Sequence, residues 1–351
     1  QDTETAAVDL FFLGWSPDGK TYAVQKHFPE RDELWLERFL LDRRVQIAEG
    51  EWGVASLAGL PAPAVDFHWS VGTGYYLLAI PMGEGKALYL GQGDTILGLV
   101  LRLQEKSTAI SWTPHRPQFL YVQGGKLFWQ DLIADGSQGK PLPLTWEPVQ
   151  LLPQSFDQIA CPTWSPTGNA IALAAKREKG FDIYLYTPRN GKEAVVSRLT
   201  HLSPPSPPCP VWSPDGKRLA FYAPSRDRWR LYLLSADRPA SIQMVSDRVV
   251  FSPQGPLWVG DDRLLYVGEG GEGRRAIYQL DLPTSPGEKA GVSLLLQPQA
   301  PLSPLLYWSP ANRMLAYQIH TPQGMRIRFL SLPEKGSPPL AEPERAEALK
   351  R

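Results

Sequence analysis

Two cysteines and five histidines are the side chains best suited to chemistry in this sequence, and their placement narrows what they could do. Cys161 and Cys209 each stand three residues ahead of a tryptophan, both within the string Cys-Pro-x-Trp-Ser-Pro. Equivalent placement allows three readings. Two small buried apolar side chains is the one favoured here, since cysteine often fills that role. A disulfide is the alternative; it needs Cα atoms within ~7 Å and an oxidising compartment. Thiolate metal ligation is the weakest, because no histidine lies close in sequence. His27, His68, His115, His201 and His320 fall at different phases of the chain's repeat, so a shared metal-binding ring is not expected. No Gly-x-Ser-x-Gly elbow, His-Glu-x-x-His pair, phosphate loop or Ca²⁺-loop spacing occurs. The glycine cluster at 268–273 (GEGGEG) lacks a following lysine and reads as a hairpin loop. The sequence therefore points to no catalytic residue, no metal and no cofactor.

The elements that would position these residues come from a repeat. Trp15, Trp69, Trp112, Trp164, Trp212, Trp258 and Trp308 recur at a mean spacing of about 49 residues, twice as Trp-Ser-Pro-Asp-Gly-Lys. Serine, proline and glycine there suit a tight turn, so Asp18 and Asp215 are expected to solvate the turn and not to react. A strand-like run follows each turn, for example Gln118–Gln123 or Arg218–Tyr222. A second run comes next, as at Asp182–Tyr186 or Ala276–Leu280, and in most units a third. Adding the short strand that leads into each tryptophan gives four strands per unit, and four strands of ~5–6 residues with their turns fill one period. The expected fold is all-β: a seven-bladed β-propeller of four-stranded antiparallel blades, with the indoles wedged between blades. It is expected to occupy residues 1–333 as one domain, followed by a polar tail at 334–351. Only six third-run candidates exist, so either the tail or the N-terminal arm must complete the last blade. Helix is expected only as one turn at 31–38 and in the tail.

The string from Cys161 to Thr200, with its Trp-Ser-Pro-x-Gly turn, its Asp182-Ile183-Tyr184-Leu185 run and its Arg198-Leu199-Thr200 ending, resembles the propeller repeat of the TolB family. Pro210–Leu233 is the next best copy, and the Trp15 unit also matches; the Trp69, Trp112 and Trp258 units have lost most of the lettering. The same repeat occurs in the propeller domains of prolyl-oligopeptidase-type peptidases. Seven units leave no room for the N-terminal domain of TolB or for a hydrolase domain, so the resemblance implies a stand-alone propeller. It also implies an exported, periplasmic location and a protein or peptide partner, including a membrane-associated complex. The start at Gln1 in place of methionine fits a removed signal peptide, although tag cleavage would look the same.

Composition removes other classes. Lysine plus arginine equals aspartate plus glutamate at 36 each, so there is no bulk charge to attract nucleic acid. No apolar run approaches the ~20 residues of a membrane-spanning helix. The candidate partner-binding residues are Phe28, expected to be exposed in the 27–33 loop, and Arg226, Arg228 and the aromatic anchor Trp229 in the 225–229 loop, within the densest basic spot. Asp66, His68, Asp157 and Gln158 lead into inner strands and are candidates to line the channel. The leading reading is a non-catalytic interaction module or scaffold. A polysaccharide lyase or hydrolase at the channel mouth, or an accessory subunit of an envelope complex, are the competing ones.

Overall fold

The computed structural model describes residues 8–104, 109–134, 141–143, 149–150, 156–189, 192–226, 228–283 and 290–332. They form seven antiparallel sheets in chain order, arranged as the blades of a propeller, plus one small separate hairpin. The first blade shows the plan: Asp9–Trp15, Thr21–His27, Asp32–Arg38 and Arg44–Gly50 pair in sequence from the inner strand outward. Blades 2, 4, 5 and 6 repeat it, and blade 3 adds a short extra strand, Val149–Gln150. Asp32–Arg38 is a strand throughout, so the helical turn expected at 31–38 is wrong; a period of two, with Asp32, Leu34 and Leu36 buried on one face and Glu33, Trp35 and Glu37 on the other, overrides its charge pattern.

Each inner strand runs into its tryptophan and then a tight turn. In blade 1 the Gly19 amide donates to the Ser16 carbonyl at 2.8 Å, and the Thr21 amide to Ser16 Oγ at 3.0 Å. Asp18 Oδ1 accepts from Ser16 Oγ at 2.6 Å and from the Lys20 amide at 3.0 Å. Ser213, Asp215, Lys217 and Arg218 repeat this geometry in blade 5. Partial burial pushes both carboxyls up, but the serine hydroxyl, the backbone amide and nearby cations outweigh it and hold them below the usual range. Gly19 and Gly216 both have φ of 69°, which explains why glycine closes the turn.

Seven apolar clusters occupy the seven seams between blades, and each takes in one repeat tryptophan. At three seams the indole also ties the blades by a hydrogen bond. Trp112 Nε1 donates to the His68 carbonyl (2.9 Å), Trp212 Nε1 to Thr163 (3.1 Å) and Trp258 Nε1 to Val211 (3.2 Å). Each acceptor is the residue just before the preceding blade's tryptophan, so the bond follows from the repeat itself.

Blade 7 contributes three strands among the described residues: Leu302–Ser309, Met314–Thr321 and Gly324–Ser331. The N-terminal arm and the tail, between which the sequence left closure undecided, lie outside the described residues. The seam with blade 1 is nonetheless closed. The Phe12 amide donates to Gln318 Oε1 (2.9 Å), the Met325 amide to Asp9 Oδ1 (2.7 Å) and Arg326 Nη1 to the Val8 carbonyl (3.0 Å). Phe12, Trp15, Tyr22, Tyr307 and Phe329 pack there, mostly tilted or edge-on, with ring centroids 5.0–6.0 Å apart.

Candidate interaction face

Alternating strand direction gives the ring two faces. The lower one carries the Ser-Pro-x-Gly turns and the hairpins between third and fourth strands. The upper one carries the hairpins between second and third strands, together with the connectors that lead from each outer strand to the next inner strand. A cavity of about 280 Å³ opens between blades 1 and 2, walled by Trp69, Arg38 and the turn residues Ser16 and Asp18; all the other candidates concern the upper face or the channel.

Buried carboxylates set the upper connectors. Asp182 accepts from Arg198 Nη2 (2.6 Å), Thr200 Oγ1 (2.7 Å) and the Leu202 amide (2.9 Å), so the polar letters of the repeat form one knot. Asp32 does the same in blade 1, where Oδ2 accepts from the Trp52 and Gly53 amides, both at 2.7 Å. Buried Gln25 completes that anchor: Nε2 donates to the Gly53 carbonyl at 3.0 Å, and Oε1 accepts from the Ala64 amide at 3.2 Å.

Between these anchors the connector forms a hairpin of its own, Val54–Leu57 with Leu60–Pro63, which the sequence reading missed. Its turn is made by Ala58 and Gly59 at φ 51° and 78°. The Ala58 carbonyl accepts from Arg275 of blade 6, whose other amino group donates to the Leu302 carbonyl at the start of blade 7's inner strand. The hairpin is therefore a strap across the upper face, rooted in blade 1 and fastened at the seam of blades 6 and 7. A run of Val-Ala-Ser-Leu, Ala-Gly and Leu-Pro-Ala-Pro is its only sequence signal.

The channel candidates separate into two groups. Asp66 and His68 share the inner strand Asp66–Trp69 of blade 2, and Asp66 pairs with Lys86 Nζ. His68 Nε2 is shut off from solvent and has no hydrogen-bond partner among the described residues. Burial lowers the His68 pKa; Asp66 opposes that shift and Lys86 adds to it. Asp157 and Gln158 belong to blade 4. Asp157 Oδ2 accepts from the Glu178 amide of the same blade at 3.1 Å, and Gln158 lies against Gly125 of blade 3. Among the described residues no group of three His, Cys, Asp or Glu could hold a metal ion.

Two of the partner-binding expectations change. Phe28 is only 8% exposed: the hairpin is short, its amide donates to the Arg31 carbonyl, and the Arg31 guanidinium covers the ring at 4.3 Å. Trp229 is not in a loop. It sits in the strand Arg228–Ser235 and stacks on Phe251 of the next connector, centroids 4.3 Å apart. Arg226, at φ 59°, and Arg228 are exposed at the tip of that blade-5 hairpin.

The cysteines are also corrected. Cys161 and Cys209 form a disulfide, with Cα atoms 5.2 Å apart, and do not remain as two unpaired apolar side chains. The cause is local. The inner strand of blade 4 bulges between Ala160 and Thr163, with Cys161 at φ 49°, and such a bulge re-aims a side chain.

No family model matches the chain, and no curated protein sequence does. Solved structures do superpose. The β-propeller domain of the Trilobed protease from Pyrococcus furiosus is 12% identical, with TM-score 0.55 over 94% of this chain and 100% of that one. An oligogalacturonate lyase in complex with manganese is 10% identical, with TM-score 0.57 over 95% of each chain. A TolB from Acinetobacter baumannii is 14% identical, with TM-score 0.49 over 78% of this chain, which spans 60% of that one. The repeat thus folds as a β-propeller, the fold shared with the protease domain and the lyase. At such identities the likeness is one of fold, and the fold hosts binding proteins and enzymes alike.

Proposed function

We propose that this chain is a non-catalytic binding module that receives a protein or peptide partner on its upper face. The observation that carries the reading is the blade-5 hairpin, where Arg226 and Arg228 stand exposed beside Trp229, itself fixed by its stack on Phe251. Arginines beside a fixed aromatic platform are what interface anchors consist of. The channel candidates and the buried carboxylates of the upper face support the same reading, because they are engaged in architecture: Asp66 with Lys86, Asp157 with the Glu178 amide, Asp182 and Asp32 with connectors. The disulfide fits an exported protein in an oxidising compartment, where the resemblance to TolB also points.

The test is crosslinking capture from the native cell envelope with the wild type and with Arg226→Glu/Arg228→Glu. Both side chains are exposed, so the melting temperature should stay within about 1 °C. Captured partner should fall by about tenfold or more, with a strong dependence on salt. Undiminished capture by a folded variant would refute the assignment.

A further inference from the structure

The lower face carries an apolar feature that neither the repeat nor partner binding on the upper face explains. Leu40 and Leu41 are the most exposed large hydrophobic residues described, at 71% and 67%. They are adjacent, at the tip of the hairpin that joins the third and fourth strands of blade 1. Leu40 has φ of 64°, a left-handed conformation that a bulky side chain seldom adopts.

The hairpin is rigid below its tip. The Arg38 amide donates to the Arg43 carbonyl (2.8 Å), and the Phe39 amide to the Lys20 carbonyl (2.8 Å). The Phe39 ring packs edge-on against Trp15 at 5.0 Å and against Phe329 at 6.0 Å. One member of the Phe39-Leu40-Leu41 run is therefore an internal anchor, and the other two are held out in water.

Around the tip, Lys20, Arg43 and Arg44 are exposed, against Asp42 and Asp18, and Asp18 is tied into its own turn. Val71, 52% exposed, projects from the turn of blade 2 on the same face. The two leucines project from the tip, whereas the cavity of this face lies beside them, between blades 1 and 2. A small projecting pair of leucines ringed by cations suits a soft, anionic, layered surface. We infer that this hairpin adsorbs to an anionic lipid bilayer, with Leu40 and Leu41 in the acyl boundary and Lys20, Arg43 and Arg44 among the headgroups. The upper face then points away from the lipid, where a partner can reach it. Two leucines and three cations give weak, reversible adsorption and not permanent anchoring.

Flotation with phosphatidylcholine vesicles, with and without phosphatidylglycerol, tests this on the whole chain. The wild type should float with the anionic vesicles only, and less so at high salt. Leu40→Ser/Leu41→Ser should weaken the partition by about tenfold or more. Leu40→Gly supplies a control for folding, because it relieves the backbone: its melting temperature should rise while its flotation falls. The inference is overturned if the wild type stays with the soluble fraction, if the serine variant floats equally well, or if neutral vesicles serve as well as anionic ones. Loss of a captured protein by the serine variant, without any vesicle binding by the wild type, would assign the tip to a protein pocket and overturn it equally.

Discussion

Breaking the bond between Cys161 and Cys209 gives a sharp test of how this ring is held together. The bridge spans a sequence separation of 48, one blade length, and joins the seam of blades 4 and 5 close to the channel. Closing a loop of that size removes unfolded-chain entropy corresponding to about 4 kcal/mol at 25 °C. Unfolding entropy of ~2.1 cal/mol/K per residue comes to roughly 0.7 kcal/mol/K for this chain, so the double variant Cys161→Ala/Cys209→Ala should melt about 5–6 °C lower. The single variants carry further information. If the effect is the cross-link, each single substitution removes it completely, and the double variant is no worse than either one within about 0.5 kcal/mol. If the two sulfurs were merely small apolar fillers, the single losses would instead add. Thermal melts of the four proteins without reductant, alongside thiol titration of the native wild type, decide between these. Two titratable thiols in the wild type, additive singles, or a double variant within about 1 °C of wild type would each refute the reasoning.

Other consequences concern the packing. Trp229→Ala removes a stacked pair worth ~0.5–1.5 kcal/mol beyond its buried area, so its melting temperature should fall by about 2 °C; an unchanged melt would mean the indole is not held on Phe251. Gln25 and Gln318 occupy the same place in the first and last blades, ten residues after Trp15 and Trp308, but their bonding differs. Gln25 bonds Asp32, the Gly53 carbonyl and the Ala64 amide, whereas Gln318 accepts from the Phe12 amide alone and its Nε2 has no partner among the described residues. Gln25→Leu should therefore lower stability more than Gln318→Leu, which strands one buried amide at ~1–3 kcal/mol; denaturant melts showing the reverse order would contradict this.

The blades were legible because their determinants are local. A turn that needs serine, proline and glycine at set positions, followed by runs of strand-forming residues, repeats in letters that can be aligned by eye. Asp182, Arg198 and Thr200 were visible as parts of a motif, but their union in one buried knot was not, since they belong to a strand, the end of another and a connector. Phe28 was misjudged because exposure depends on hairpin length: Phe28 to Arg31 is a short link whose own arginine closes over the ring. The disulfide was a matter of one bulged residue, and the ring's closure depended on which side chain of blade 7 meets which amide of blade 1, pairs some 306 residues apart in sequence.

In a chain built from copies, what the copies share is architecture, and the candidates for function are what one copy has alone. By that measure the Ser-Pro-Asp-Gly turns carry no specificity: their carboxylates brace their own backbone in blade 1 as in blade 5. Three unrepeated features stand on the two faces of the ring. They are the strap at 54–63, the arginine tip of blade 5 and the leucine tip of blade 1. The strap differs from a tolerated insertion in how it is fixed, with Asp32 and Gln25 at its root and Arg275 of a distant blade at its turn. An insertion without a role needs no such fastening, because a surface loop of this length adds little entropic cost if left loose. The fastening sets the shape of the upper face beside the inner strands, and that is the face to which we assign binding by the exposed arginines of blade 5.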